Sequence, residues 1–108
     1  MADEYPTIEW KGKSGKVYTY RLYPRSVTHK SIGGNYIFVK ETSPKRWSPV
    51  YIGQTGDLST RFLNHHQNEC IDKNGATHLC TRVNGNEQSR LDEETDLRRL
   101  WSTSCNEQ

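Results

Sequence analysis

Short runs in which hydrophobic and polar residues alternate recur along the chain, each ended by glycine, proline or polar residues. This alternation is typical of β-strands that bury one face. It predicts strands over residues 7–10, 16–23, 35–40, 50–53 and 76–83. The first two are joined by a turn that contains Gly12 and Gly15, so a β-hairpin is expected within residues 1–30.

The second predicted strand shows how the alternation assigns side chains to faces. Tyr18 and Tyr20 project to one face, and Thr19 and Arg21 project to the other. We expect the two tyrosines to cover a thin hydrophobic core. The alternative is that aromatic and basic side chains of this strand contact the bases and phosphates of a nucleic acid.

The polar segment of residues 41–49 separates the third and fourth predicted strands and is long for a hairpin loop. Its two prolines exclude it from a central strand, because proline donates no hydrogen bond to a neighbouring strand. Lys45 and Arg46 make it a candidate loop for contacting DNA. An equally good interpretation is an insertion that packs Trp47 on the edge of the sheet.

A first helix is predicted over residues 58–67, after a turn at residues 54–57 that ends in a capping residue. At 100° per residue, Arg61 and His65 fall one turn apart in the same arc, beside the apolar stripe. The two side chains are therefore expected to lie together.

A second helix is predicted over residues 89–101. Glu94 shares an arc with Leu91 and Leu97, which predicts that its carboxylate points towards the sheet. Glu93 lies at the edge of the same arc, so periodicity alone leaves both glutamates as candidates. A partly solvated helix residue is the ordinary interpretation of either one.

Composition indicates one small polar-surfaced domain covering residues 1–108. Hydrophobic residues make up 31% of the chain and charged residues 26%, and the mean hydropathy is −0.98. Eleven aromatic residues and nearly balanced charge argue against a disordered chain. No apolar run is long enough to cross a bilayer, and the first residues do not resemble a signal peptide, so a soluble, cytoplasmic protein is expected.

Charge is distributed unevenly, although the net charge is only +2. Residues 9–30 contain six Lys or Arg and one Glu, whereas residues 87–108 contain six acidic residues and three Arg. A basic surface that attracts phosphate, beside an acidic patch that holds a cation, would produce this asymmetry. Two ordinary solvated faces would produce it equally well, and both interpretations stay open.

The three cysteines are Cys70, Cys80 and Cys105, and none forms a CxxC pair. An odd number without a signal peptide predicts reduced thiols. Zinc binding is an alternative, because five potential ligands cluster in sequence: His65, His66, Cys70, His78 and Cys80. Their spacings match no zinc-finger pattern.

Two short strings and a set of intervals carry the main functional signal. The strings are Gly34-Asn35-Tyr36 and Tyr51-Ile52-Gly53; Arg61 follows Tyr51 by ten residues, His65 follows Arg61 by four, and Asn106 follows Glu94 by twelve. These residues and intervals resemble the signature of the GIY-YIG nucleases. The resemblance covers residues 34–106 and implies an α+β fold with a small, mainly antiparallel sheet flanked by helices. The N-terminal hairpin lies outside it.

The resemblance implies a metal-dependent endonuclease that hydrolyses DNA phosphodiester bonds. Glu94 would bind Mg²⁺ or Mn²⁺, and Tyr36 would act as the general base. Tyr51 would orient water or phosphate, while Arg61, with His65 one turn later, would stabilise the transition state or the leaving group. Antiparallel pairing of the third and fourth strands allows both tyrosines to lie on one face.

Further positions are expected to contact the substrate or to shape its site: Gly34, Gly53, Gln54, Lys45, Arg46 and Asn106. Gln54 stands where DNA-repair members of the family carry a lysine. The partner is expected to be DNA, without a membrane or a small-molecule cofactor, and the protein to be a monomer or a transient homodimer. A catalytically silent nucleic-acid-binding module of the same fold, and an unrelated small α+β interaction protein, are the alternatives.

Overall fold

The chain folds as one antiparallel sheet with helices on both of its faces. A computed structural model describes residues 5–62 and 67–106, apart from the side chain of Arg61. In chain order the elements are β1 (Thr7–Lys11), β2 (Val17–Pro24), β3 (Gly34–Ser43), β4 (Arg46–Thr55), α1 (Leu58–Arg61), α2 (Asn68–Lys73), β5 (His78–Val83) and α3 (Glu87–Leu100). The prediction of an α+β fold with a mainly antiparallel sheet is confirmed.

The strand order within the sheet is β1-β2-β5-β3-β4. The last strand in sequence therefore lies between β2 and β3, and it joins the hairpin β1–β2 to the hairpin β3–β4. Cys80 of β5 pairs with Leu22 on one side and with Ile37 on the other. The first two strands are thus part of the main sheet, and β1 and β4 form its edges.

The β3–β4 hairpin is longer than the sequence pattern predicts. The expectation of a loop over residues 41–49 is wrong, because β3 extends to Ser43 and β4 begins at Arg46. Proline is tolerated here because β4 is an edge strand and Pro49 lies next to a shift in register after Phe38. Lys45, with φ of 64°, occupies the turn.

The two faces of the sheet carry separate hydrophobic clusters. The face under α3, called the α3 side below, is built mainly from Trp10, Tyr18, Tyr20, Leu22, Ile37, Val39, Ile52, Cys80 and Leu97. The opposite face, called the α1 side, is built from Tyr36, Phe38, Val50, Tyr51, Leu58, Ile71, Leu79 and Cys105. Alternate residues of β3 therefore contribute to different clusters.

Tyr18 and Tyr20 are buried on the α3 side, so the prediction that they cover the core is confirmed. Their hydroxyl groups are satisfied by α3: Tyr18 donates to Asp96 at 2.8 Å and Tyr20 donates to Glu93 at 2.5 Å. Burial, followed by the hydrogen bond to Asp96, raises the pKa of Tyr18 to about 12. Neither ring is available for stacking on bases.

The predicted helix over residues 58–67 is wrong in its extent. Asp57 caps α1 by accepting from the backbone N–H of Ser59 at 2.9 Å, as expected, but α1 ends at Arg61 and α2 begins at Asn68. Phe62 leaves the helix and packs edge-on against Tyr36. None of the helices in the two described ranges is long and apolar enough to span a bilayer.

The expectation of reduced thiols is wrong for two of the three cysteines. Cys70 of α2 and Cys105 form a disulfide with a Cα–Cα distance of 5.8 Å, although they lie 35 residues apart in sequence. Cys80 is a free thiol in the core of the α3 side. Within the described residues, no group of three or more His, Cys, Asp and Glu is placed to bind a metal; His65 and His66 lie outside those residues.

The disulfide is expected to stabilise the fold by limiting the conformations of the unfolded chain. Closing a loop of 35 residues corresponds to roughly 4 kcal/mol in the chain-entropy model. Cys70→Ser should lower the free energy of unfolding by about 2–4 kcal/mol in urea denaturation. In reducing agent, wild-type protein should have the same free energy of unfolding as this variant. The free energy of unfolding of the variant should not change when reducing agent is added. Equal stability of oxidised and reduced wild type would contradict the prediction.

Candidate functional site

Tyr36 and Tyr51 lie next to each other on the α1 side of the sheet. Tyr36 pairs with Gly53 across the β3–β4 ladder, and Phe38 pairs with Tyr51. The two tyrosine rings are therefore diagonal neighbours, with centroids 6.0 Å apart and an interplanar angle of 25°. The strand pattern predicts this shared face.

Gly53 makes room for the tyrosine pair. A Cβ atom at this position would lie 2.6 Å from both Cζ and the hydroxyl oxygen of Tyr36, and 2.9 Å from Cε2 of Tyr51. Gly34 is similarly enclosed, since a Cβ atom there would lie 2.6 Å from the carbonyl oxygen of Arg82 and 2.8 Å from Leu58. At both glycines the close approach is made by the protein's own atoms.

The tyrosine pair is buried. Tyr36 has no exposed surface and Tyr51 is 7% exposed. Phe38 and Phe62 pack edge-on against the Tyr36 ring, with centroid distances of 5.9 Å and 5.0 Å. A substrate can therefore reach the Tyr36 hydroxyl only if neighbouring side chains move.

Asn106 attaches the C-terminal segment to the edge strand β4. Its carboxamide oxygen accepts from the backbone N–H of Ile52 at 2.7 Å, and its carboxamide nitrogen donates to the carbonyl of Ile52 at 3.0 Å. The backbone N–H of Cys105 also donates to the carbonyl of Val50. The side chain of Asn106 thus satisfies both outward backbone groups of the residue that lies between Tyr51 and Gly53.

Glu94 lies on the flank of α3, not on its inward face. The buried residues of this helix are Arg90, Glu93 and Leu97, while Leu91 is 37% exposed. The prediction that the inward arc is centred on Glu94 is therefore wrong, because the neighbouring residue Glu93 occupies the inward position. The Glu94 side chain is 19% exposed, and its Oε2 atom lies 3.8 Å from Nη1 of Arg98.

Arg98 connects Glu94 to the C-terminal segment. Its Nη2 atom donates to the carbonyl oxygen of Asn106 at 3.2 Å. Glu94, Arg98 and Asn106 therefore form a chain of contacts that ends at Ile52, on the strand that carries Tyr51. This chain brings the helix and the C-terminal part of the motif to the edge of β4.

Glu93 occupies the inward position because it has two strong partners. Its carboxylate accepts from the Tyr20 hydroxyl and from Nη1 of Arg82, each at 2.5 Å. Burial raises the pKa of Glu93, and the hydrogen bond from Tyr20 and the charge of Arg82 oppose that shift. The sequence contains a signal for this arrangement in the spacing of positions 90, 93 and 97, which share one helix face.

Gln54 lies on the opposite side of the sheet from the tyrosines. Its side-chain oxygen accepts from Nε of Arg90 at 3.0 Å, and Nη1 of Arg90 donates to the carbonyl of Asn84. Asn35 completes this group by donating to the carbonyl of Arg90 at 2.9 Å. Arg90 is a buried residue that the predicted arc of Leu91, Glu94 and Leu97 missed, because an arginine is rarely assigned to the inward face of a helix.

Lys45 and Arg46 lie at the tip of the β3–β4 hairpin and are both exposed. Arg46 is five residues from Tyr51 along an extended strand, which corresponds to roughly 16 Å. The structure therefore separates these two cations from the tyrosine pair. His65 lies outside the described residues, as does the side chain of Arg61.

No protein-family model matches the chain, and no curated protein or solved structure is significantly similar to it.

Substituting Gly53 tests the close packing of the tyrosine pair. Gly53→Ala should lower the free energy of unfolding by about 1–3 kcal/mol, because the added methyl group overlaps both rings. Gly85→Ala is the matched control, since a Cβ atom there meets no atom within 4 Å. The measurement is urea denaturation, with near-ultraviolet circular dichroism as the report on the tyrosines. Equal stabilities of the two variants would show that the rings do not pack on Gly53.

Proposed function

We propose that the protein is a divalent-metal-dependent endonuclease of the GIY-YIG type that hydrolyses DNA phosphodiester bonds. The observation that carries this proposal is the meeting of distant motif positions at one stretch of β4. Tyr36 packs over Gly53, Tyr51 stacks beside it, and Asn106 binds Ile52 from 54 residues away. These contacts join positions 36, 51–53 and 106 of the signature, and in this way they support the proposal.

Glu94 is the residue proposed to hold Mg²⁺ or Mn²⁺. Its carboxylate is partly exposed and offers hard oxygen ligands, and one carboxylate with water and substrate phosphate is a common Mg²⁺ site. The residues present therefore fit such an ion. When bound, a divalent cation neutralises charge on the scissile phosphate and acidifies water.

Tyr36 is proposed to accept the proton of the attacking water, and Tyr51 to orient that water or the phosphate. An ordinary phenol titrates near 10, so it is a weak base at neutral pH unless a cation stabilises the phenolate. The guanidinium of Arg61 is the candidate for this cation, and its planar donors also suit a phosphate. His65 is proposed to act beside Arg61.

The burial of Tyr36 adds a requirement to this mechanism. Because the ring is enclosed by Phe38 and Phe62, the proposal requires Phe62 to move when DNA binds. Phe62 lies at the end of a one-turn helix, where local opening needs less free energy than in the centre of the sheet. The same burial favours the second candidate, a nucleic-acid-binding module of this fold that does not cleave.

Nicking of a supercoiled plasmid distinguishes the two candidates. Wild-type protein should convert the plasmid to open circles with Mg²⁺ or Mn²⁺ and not with EDTA, since one site cuts one strand. Glu94→Ala should reduce the rate by at least about 10²-fold, and Tyr36→Phe by about 10²- to 10⁴-fold. Glu87→Ala, an exposed glutamate of the same helix, is the matched control and should retain the wild-type rate.

Two results would contradict the nuclease proposal. Undiminished nicking by Glu94→Ala would exclude the metal role of that carboxylate. Plasmid binding without cleavage by wild-type protein, with either metal, would favour the silent module.

A further inference from the structure

Part of the sheet on the α1 side is not covered by any described helix. α1 and α2 pack against β3, β4 and Leu79, but the outward residues of β2 and the end of β5 stay at the surface. Val83 is 60% exposed there, and Thr19 is exposed as well. This open area lies on the same face of the sheet as the tyrosine pair.

Two adjoining cavities extend across this area. The first, of about 310 Å³, has walls that include Arg21, Tyr23, His29, Lys30 and Val83. The second, of about 270 Å³, shares His29 and Leu58 with the first and reaches Phe62. Together they form what is called the β2 groove below.

The β2 groove leads towards the proposed active site. Phe62 lines its far end and packs against Tyr36 with a centroid distance of 5.0 Å. A chain of nucleotides lying in the groove would therefore pass the side chain whose movement exposes Tyr36.

The described residues that line the groove include three cationic side chains, those of Arg21, Arg25 and Lys30. None of the described residues that line the two cavities is an aspartate or a glutamate. Among the described residues, neither Arg21 nor Lys30 makes an ion pair, and Arg21 donates to the backbone carbonyl of Tyr5 at 2.7 Å. Arg25 differs, because it pairs with Asp72 at 2.6 Å.

An aromatic wall with an unused polar atom completes the groove. His29 lies edge-on between Tyr23 and Phe62, with centroid distances of 5.1 Å and 5.4 Å. Its Nε2 atom is buried and has no hydrogen-bond partner within the described residues. Burial lowers the pKa of His29, which favours the neutral ring at neutral pH.

We propose that the β2 groove binds the strand of DNA that flanks the cleaved bond. Arg21 and Lys30 contact its phosphates, and Tyr23 with His29 contacts a sugar or base. Unpaired cations that follow a concave path beside aromatic rings are the arrangement that binds a nucleic-acid backbone without reading its sequence. The identity of the strand as substrate rests on the proposed nuclease function, but the binding itself does not.

Fluorescence anisotropy with a labelled single-stranded DNA 20-mer in EDTA measures this binding in the absence of cleavage. The double variant Arg21→Gln with Lys30→Gln should weaken binding by about tenfold or more at moderate salt. The slope of log K against log salt concentration should fall by about 1.4, since each phosphate contact on a single strand contributes about 0.7. Lys13→Gln with Arg99→Gln removes the same charge near α3 and should bind as wild type does.

A second pair of variants tests the groove in case the first double variant does not fold. Val83→Glu places a carboxylate in the groove at an exposed position and should weaken binding by a similar factor. Leu91→Glu, also an exposed hydrophobic residue but on α3, is its control. Thermal unfolding of each variant confirms that the fold is retained.

Each outcome separates the groove from the nuclease proposal. If the folded groove variants and the wild type have equal affinities and salt slopes, the proposal that the groove binds DNA is wrong, even if the plasmid is nicked. Groove-dependent binding without nicking would support the groove as a DNA-binding site and would contradict the proposal that the protein is a nuclease. A 20-mer RNA of the same sequence that binds much more tightly than the DNA would overturn the assignment to DNA.

Discussion

The covering of β3 on both faces is the constraint on which the rest of the structure depends. Residues 34–39 are all buried, because α3 lies over one face of the strand and α1 with α2 over the other. Alternate side chains must therefore go to opposite cores. Tyr36 joins the α1 side, whereas Asn35 points to α3 and bonds the carbonyl of Arg90. One strand thus separates the tyrosine pair from the polar network of the α3 side.

The α3 side contains buried charged groups whose hydrogen-bond partners offset the cost of burying them. Glu93 is 2% exposed and is tolerated there because Arg82 and the Tyr20 hydroxyl both bond its carboxylate. Arg90 is satisfied by neutral oxygens of Gln54 and Asn84. These bonds hold α3 against β2, β4 and the end of β5, and they fix where the flank of the helix, with Glu94, meets the sheet. The position of the proposed metal ligand is therefore set by the contacts that α3 makes with its own face of the sheet, opposite the tyrosine pair.

The α1 side carries the tyrosine pair and an approach to it, whereas Glu94 belongs to α3, which covers the opposite face. The tyrosine pair lies next to the edge strand β4, whose outward backbone groups are bonded by the C-terminal segment through Asn106. The disulfide between Cys70 and Cys105 attaches that segment to α2 as well. The site is thus rigid along β4, while the β2 groove opens on the other side of Phe62.

Local pattern was sufficient to predict the strands, their faces, the Asp57 cap and the placing of Tyr36 with Tyr51, because a period of two and a capping side chain depend only on neighbouring residues. The local pattern failed where contacts between residues distant in sequence decide the structure. The choice of Glu93 over Glu94 for burial depends on Arg82 and Tyr20. The pairing of Cys70 with Cys105, the strand character of residues 41–49 and the insertion of β5 between β2 and β3 depend on which surfaces meet. The β2 groove depends on which surfaces meet as well, since no described helix covers the outward face of β2.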